Sequence, residues 1–213
     1  MLKRALLVRH AESEEDVDPT IRSHIIDSRI SVTAAGKKQV EELARKLRPS
    51  IKSCTSVRLI ASVTNRALQT TQLFSSHFPQ KKFDVVHDDR IRSLNWGNVD
   101  ETTIRQVERE RYKVGVLYFQ FPEGDDTKSF VKGIEDFVSD LRLSGQEVTY
   151  PECLVIFTHG FALRVIAKAA LGISDEDFRY LANPPNCYVA TLNFSRGKFS
   201  LEDPLPIVNF EIK

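Results

Sequence analysis

The 213 residues are 41% hydrophobic and carry 30 Lys and Arg against 29 Asp and Glu. That length allows one substantial α/β core and is short for two independent domains, while a formal charge of +1 leaves no global field to hold nucleic acid or an anionic membrane. Three cysteines, an odd number, argue against a disulfide framework and for a reducing compartment.

The chain opens with Met1-Leu2-Lys3-Arg4, and only four apolar residues, Ala5-Leu6-Leu7-Val8, separate this from Arg9. The run is too short for a signal-peptide core and suits a first buried strand. No later run approaches a membrane span, so a cytoplasmic protein is expected. The strand leads into Arg9-His10-Ala11-Glu12-Ser13, and the polar stretch from Ala11 to Ile30 reads as a long functional loop. Val40, Leu43, Ala44 and Leu47 follow helical spacing, with Pro49 as the expected end. A strand at 57–61 leads through Ser62-Val63-Thr64 to a helix from about Asn65 to His77 that carries Arg66 near its start, and a short strand at 83–86 follows.

The middle, 88–144, reads as mostly helical with an interruption at Phe121-Pro122-Glu123-Gly124, an insertion expected to cover a site. The core resumes with a strand at 153–158, opening on Cys153 as a small buried hydrophobe, and reaches His159 before a helix at 161–171. Ser174 before Asp175, Glu176 and Asp177 predicts an N-cap with an acidic first turn, and 187–194 is a late strand. This alternation predicts one α/β domain over 1–213, a mostly parallel sheet with helices on both faces.

In such a sheet the carboxyl ends of the strands form the ligand crevice. Arg9, His10, Arg66 and His159 all follow predicted strands. Two guanidiniums and two imidazoles converging there make a pocket for a phosphoryl dianion, with one imidazole available as nucleophile. A metal site is not expected, because Arg9 beside His10 would repel a cation and no third ligand is spaced nearby. His24, His77 and His87 stand in polar or helical-surface contexts and are assigned no role.

The same residues carry a family resemblance. Arg9-His10-Ala11-Glu12-Ser13, Asn65-Arg66-Ala67-Leu68-Gln69-Thr70 and Thr158-His159-Gly160 resemble, in order, the three basic signatures of the histidine phosphatase superfamily, the phosphoglycerate-mutase-like proteins. Each motif alone is weak and the ordered set is strong; the resemblance runs from about residue 4 to about residue 194. Ser31 to Gln39 is similar to the family's helix after the first loop, and Phe121 to Asp126 to its Pro-Gly-Glu-Ser segment. With Asn98 and Glu108-Arg109-Glu110-Arg111-Tyr112, the chain looks most like the broad-range acid phosphatase branch. The resemblance implies a phosphoglycerate-mutase-like fold, no cofactor, and His10 as the nucleophile that forms a phosphohistidine. Arg9, Arg66 and His159 would hold the equatorial oxygens, Ser13 would be a neutral donor to the substrate, and Asn186 would lie near the pocket.

Two departures bear on activity. The family usually carries a glutamate four residues before the glycine of Arg90-Ile91-Arg92-Ser93-Leu94-Asn95-Trp96-Gly97, as the general acid for the leaving oxygen, and here that position is Ser93. A serine hydroxyl cannot serve as an acid near neutral pH. Asp88 and Asp89 precede it, and Asp100 and Glu101 follow, with Asp100 the first choice for a displaced acid. Asp16 stands where the first loop commonly has an asparagine touching the phosphate, and a carboxylate there repels a dianion unless it turns away or is protonated. The expected activity is that of a phosphomonoesterase working through phospho-His10 on a small or protein-borne phosphate. Ser93 keeps open a pseudo-phosphatase that binds a phosphorylated ligand or partner with little turnover, and a phosphoglycerate-mutase-type phosphotransferase is a further alternative. The substrate is the one partner expected, with no nucleic acid and no membrane, and the oligomeric state stays open.

Overall fold

A computed structural model describes residues 1–18, 21, 29–100 and 102–208. Six strands, β1 (Arg4–Arg9), β2 (Val57–Ala61), β3 (Asp84–His87), β4 (Cys153–Thr158), β5 (Val189–Ser195) and β6 (Lys198–Leu201), form one sheet in the order β3-β2-β4-β1-β5-β6. The pairs β2·β3, β2·β4 and β1·β4 are parallel, whereas β5 runs antiparallel to β1 and β6 antiparallel to β5. The sheet is thus mostly parallel, with an antiparallel edge.

Helices cover both faces. The principal ones are α2 (Ala34–Ser53), α3 (Asn65–Ser76), α4 (Ile104–Val114), α5 (Thr127–Ser144) and α6 (Gly160–Leu171); α1 (Glu14–Val17) and α7 (Asp175–Phe178) are single turns. Because strand side chains alternate between faces, the central strands divide their residues between two cores. Leu6 and Val8 of β1 with Val155 and Phe157 of β4 pack with Val40, Leu43 and Leu47 of α2 and Phe74 of α3. Leu7, Leu154 and Ile156 pack on the opposite side with Ile134, Phe137 and Val138 of α5 and Leu163 and Ile166 of α6. Cys153 is fully buried, as expected of a small apolar residue.

Pro49 does not end the second helix. α2 continues through it to Ser53, and Ile51, beyond the proline, is completely buried beside Leu47. The missing proline N–H costs one intrahelical bond, and burial of Ile51 offsets that loss. The short third strand is Asp84–His87 and the late strand Val189–Ser195, and β6, which has no counterpart in the sequence reading, follows β5 across the turn at Arg196-Gly197.

The stretch 88–144 divides into two unlike parts. α5 supplies Phe130, Ile134, Phe137, Val138 and Leu141 to the main core, so it is a sheet-covering helix. α4 buries only Val107 and lies over the outside. Ser174 caps α7 by accepting from the Asp177 N–H at 3.0 Å. Among the described residues no helix is long and apolar enough to cross a membrane.

Candidate active site

The site is set by strand register. Arg9 of β1 pairs with Thr158 of β4, and Ala61 of β2 pairs with Phe157, so three parallel strands end at one level. The next residues along β1 and β4 are His10 and His159, whose ring centroids lie 4.9 Å apart at 57°. Both are buried, at 5% exposure each, and Arg66, at the start of α3 after β2, is 1% exposed.

The imidazole of His10 is oriented by its own backbone. Nδ1 lies 2.8 Å from the Ala11 carbonyl oxygen, which can only accept, so the proton belongs on Nδ1 and the lone pair on Nε2. Burial, then the Arg66 guanidinium, with Arg9 behind it, outweighs the Asp16 carboxylate and the Ala11 carbonyl and pushes the imidazole down to about 3. At neutral pH the ring is therefore an uncharged base, the form that can attack phosphorus.

Neighbouring groups are fixed by short contacts. Nε2 of His159 lies 2.9 Å from Ser62 Oγ and 3.0 Å from Thr64 Oγ1, both in the turn after β2. The Asn65 to Thr70 segment works as a brace with one active face. Asn65 donates to the Ile30 carbonyl at 3.1 Å, and Gln69 accepts from the Val32 N–H at 2.8 Å. Thr70 accepts from the Ala11 N–H at 3.1 Å while donating to the Arg66 carbonyl at 2.7 Å. Gly36, in the first turn of α2, allows that turn to press on the His10 loop, since a Cβ there would meet the Glu12 carbonyl oxygen at 2.2 Å.

Asp16 is turned inward. Its Oδ1 is 2.5 Å from Arg9 Nη2, and its Oδ2 accepts from the Ser13 hydroxyl at 2.7 Å, the Ser13 N–H at 2.9 Å and Asn186 Nδ2 at 3.2 Å. Arg9 also donates from Nη1 to the Pro184 carbonyl at 2.6 Å, and Asn186 to the His10 carbonyl at 3.2 Å. Burial opposes ionisation of Asp16, yet the His10 ring where it is protonated, the Ser13 hydrogen bonds and Arg9 hold its carboxyl below the usual carboxylate range. Ser13 and Asn186 thus reach the pocket by way of Asp16. Glu15, one residue earlier, approaches Arg66, with Oε2 3.4 Å from Nη2.

Asp100 is not brought into this cluster. Its Oδ1 accepts from the N–H and hydroxyl of both Thr102 and Thr103, at 2.7 to 3.0 Å, ahead of α4. These bonds, from Thr102 first, draw its carboxyl down to about 2. An exposed carboxylate so well satisfied does not hold a proton at neutral pH, which removes the reason for choosing it as the displaced acid. Glu101 and His24 lie outside the described residues.

The segment bearing Ser93 borders the site, because Thr158, immediately before His159, donates its hydroxyl to the Ile91 carbonyl at 2.7 Å. Arg92 then grips Asp125 in a two-pronged pair at 2.7 and 2.8 Å, and Asp125 also accepts from the Asn95 N–H at 2.7 Å. Gly97, at φ +70°, and Gly124 let the two segments touch backbone to backbone. The Arg111 guanidinium of α4 stacks on Phe161, Trp96 and Phe121 at 4.9, 5.2 and 5.6 Å, tying the outer helix to this wall. Asp125 is therefore a brace. Among the described residues no group of three or more His, Cys, Asp or Glu is arranged to hold a metal ion.

A family model for the histidine phosphatase superfamily (branch 1) matches residues 5–204. The chain belongs to that superfamily. Within it, the phosphoglycerate mutase-like protein AT74 of Arabidopsis thaliana is 26% identical over 208 residues, covering 92% of this chain but 66% of the relative, so this chain spans just under two thirds of it. A mycobacterial glucosyl-3-phosphoglycerate phosphatase, solved with VO3, superposes with a TM-score of 0.75 at 16% identity, covering 96% of this chain and 99% of that one. The α-ribazole phosphatase of Shigella flexneri gives 0.72 at 18% identity, over 93% and 94%. At these identities the structural likeness establishes the histidine phosphatase fold.

Sequence reasoning missed several residues. Ser62 and Thr64, the partners of His159, carry no signal beyond their place after a predicted strand. Glu15, which lies against Arg66, is likewise not singled out by the sequence reading.

Proposed function

We propose that this protein is a phosphoric monoester hydrolase that works through a phosphohistidine at His10. The observation that carries the reading is the uncharged His10 ring, held by Ala11 with Nε2 as its lone-pair nitrogen and set among Arg9, Arg66 and His159. Attack by Nε2 on phosphorus builds charge on the equatorial oxygens, and preorganised guanidiniums are suited to stabilising it. Water then cleaves the N–P bond. Superfamily membership supports the chemistry, and the phosphatases among its structural relatives make hydrolysis the favoured outcome. No metal or cofactor takes part, and a cytoplasmic setting suits the three thiols, all unpaired.

One set of observations favours a second reading. Ser93 offers no acid, Asp100 is committed to its own turn, and carboxylates already stand against Arg9 and Arg66. A pseudo-phosphatase that binds a phosphorylated ligand with little turnover would show this pattern. The two readings separate in an assay of pure protein against a panel of aryl, acyl and alkyl phosphates. Release of free phosphate supports the hydrolase; tight binding without release supports the pseudoenzyme; recovery of an isomerised ester would point to a phosphotransferase of the mutase type.

A further inference from the structure

The Asp16 carboxylate occupies a guanidinium that the proposed function assigns to a phosphoryl oxygen, and it is firmly held there. Oδ1 accepts from Arg9 Nη2, while Oδ2 accepts from the Ser13 hydroxyl at 2.7 Å, the Ser13 N–H at 2.9 Å and Asn186 Nδ2 at 3.2 Å. Oδ2 also lies 3.9 Å from His10 Nδ1, so the carboxylate borders the nucleophile as well as the guanidinium. A fully ionised phosphoryl group seated against Arg9 and His10 therefore meets a like charge at close range, and one proton on that group halves its charge. The same proton turns one phosphoryl oxygen into a donor. Oδ1, which accepts from Arg9 alone among the described residues, has a further lone pair to receive it. A second observation concerns the leaving oxygen: position 93 is a serine, and Asp100 is bound by Thr102 and Thr103, so neither supplies that oxygen with a proton.

We propose that Asp16 selects the singly protonated, monoanionic form of a phosphate ester, and that this form brings the proton its own leaving oxygen needs; this rests on the phosphohistidine reading above. In the first step the lone pair of His10 Nε2 forms the N–P bond as the P–O bond to the leaving group breaks. The proton of the phosphoryl group passes to the departing oxygen, which becomes the stronger base as its bond to phosphorus lengthens. The alcohol leaves neutral. The phosphorylated ring keeps its proton on Nδ1, against the Ala11 carbonyl, and so carries a positive charge beside the Asp16 carboxylate. In the second step the oxygen of a water molecule bonds to phosphorus, the N–P bond breaks and its electron pair returns to Nε2, and one water proton moves to a phosphoryl oxygen. Dihydrogen phosphate leaves, and His10 is uncharged, as it began.

The consequence is a pH dependence set by the substrate. The second ionisation of a phosphate ester lies at about pH 6, and an electron-withdrawing aryl group lowers it. The charged and titratable side chains around the phosphoryl position are Arg9 and His10 at the end of β1, Glu15 and Asp16 of α1, Arg66 of α3 and His159 after β4. His10, pushed down to about 3, and Asp16, held below the usual carboxylate range, keep their charge states from pH 5 to pH 8. Titration of any other of these groups would impose one midpoint on every substrate. The experiment measures kcat/KM from pH 5 to pH 8 with glycerol phosphate and with p-nitrophenyl phosphate. For wild type it should fall about tenfold per pH unit above each ester's own second ionisation, so the fall begins at lower pH with the aryl ester. Asp16→Asn, which admits the dianion, should raise kcat/KM for p-nitrophenyl phosphate at pH 8 by at least about tenfold. With glycerol phosphate the fall should remain, because the alkyl oxygen still needs the substrate's proton. A common midpoint for both esters, a flat wild-type profile, or an Asp16→Asn variant no faster than wild type on the aryl ester at pH 8 overturns the proposal; should that variant not fold, the wild-type comparison decides. Labelled His10, trapped in alkaline denaturant alongside any of these contrary results, leaves the phosphohistidine reading standing. No labelled His10 with either ester at any pH overturns that reading itself.

Discussion

The Asp16 carboxylate stands 2.5 Å from the Arg9 guanidinium, so it occupies a donor that the proposed function assigns to a phosphoryl oxygen. Ser13 and Asn186 hold Asp16 in that position, which makes the contact a built feature of the first loop. A dianion must share Arg9 or displace the carboxylate. Asp16→Asn keeps an acceptor for Ser13 and removes the charge, and it should tighten phosphate or vanadate binding by about tenfold, the equivalent of ~1.4 kcal/mol. Titration calorimetry checks this; weaker binding in the variant would show that Asp16 helps to seat the anion.

His10 should not titrate in the physiological range. Its folded-state value, pushed down to about 3, lies below the unfolded histidine value of about 6.5. Between these limits the unfolded chain binds the extra proton, so the contribution of His10 to stability is full above about pH 6.5 and is lost as pH falls toward 3. NMR of the His10 ring should show a flat chemical shift from pH 8 to pH 5. A midpoint near 6.5 would contradict the account of burial and neighbouring guanidiniums given above.

The wall beside the site depends on Gly97. Its φ of +70° disfavours any side chain, and a Cβ would meet the Pro122 carbonyl oxygen at 2.1 Å. Gly97→Ala should destabilise the fold by roughly 1–3 kcal/mol, read as a lower thermal midpoint. An unchanged midpoint would mean that the 95–97 and 121–124 segments are not in contact.

Arg66 should matter to both binding and turnover, since a guanidinium held against a phosphoryl oxygen helps ground and transition states alike. Arg66→Lys keeps the charge and loses the fork, and kcat/KM should drop by about 10²-fold. Steady-state kinetics check this, and undiminished kcat/KM would remove Arg66 from the site.

Much of this arrangement was legible in the chain because strand ends are marked by abrupt changes from apolar to basic residues. Val8 to Arg9 is such a change, Phe157 gives way to His159 across a single threonine, and the parallel pairing of the two strands makes distant segments neighbours. What the sequence could not carry was competition for partners. Asp100 looked available because nothing in one dimension shows that Thr102 and Thr103 would consume its oxygens. Ser62 and Thr64 looked like turn residues because their role depends on His159, 95 and more positions away. Pro49 looked like a helix end because local propensity says nothing of the core that Ile51 enters.

The central claim is that His10 carries the phosphoryl group, and rapid labelling quenched in alkaline denaturant tests it most directly. Wild-type protein mixed with p-nitrophenyl phosphate for milliseconds, digested and mapped by mass spectrometry at alkaline pH, should show one phosphate on the peptide containing His10. His10→Asn should show none while still melting cooperatively. Phosphate found on His159, or label retained in the His10 variant, would contradict the assignment.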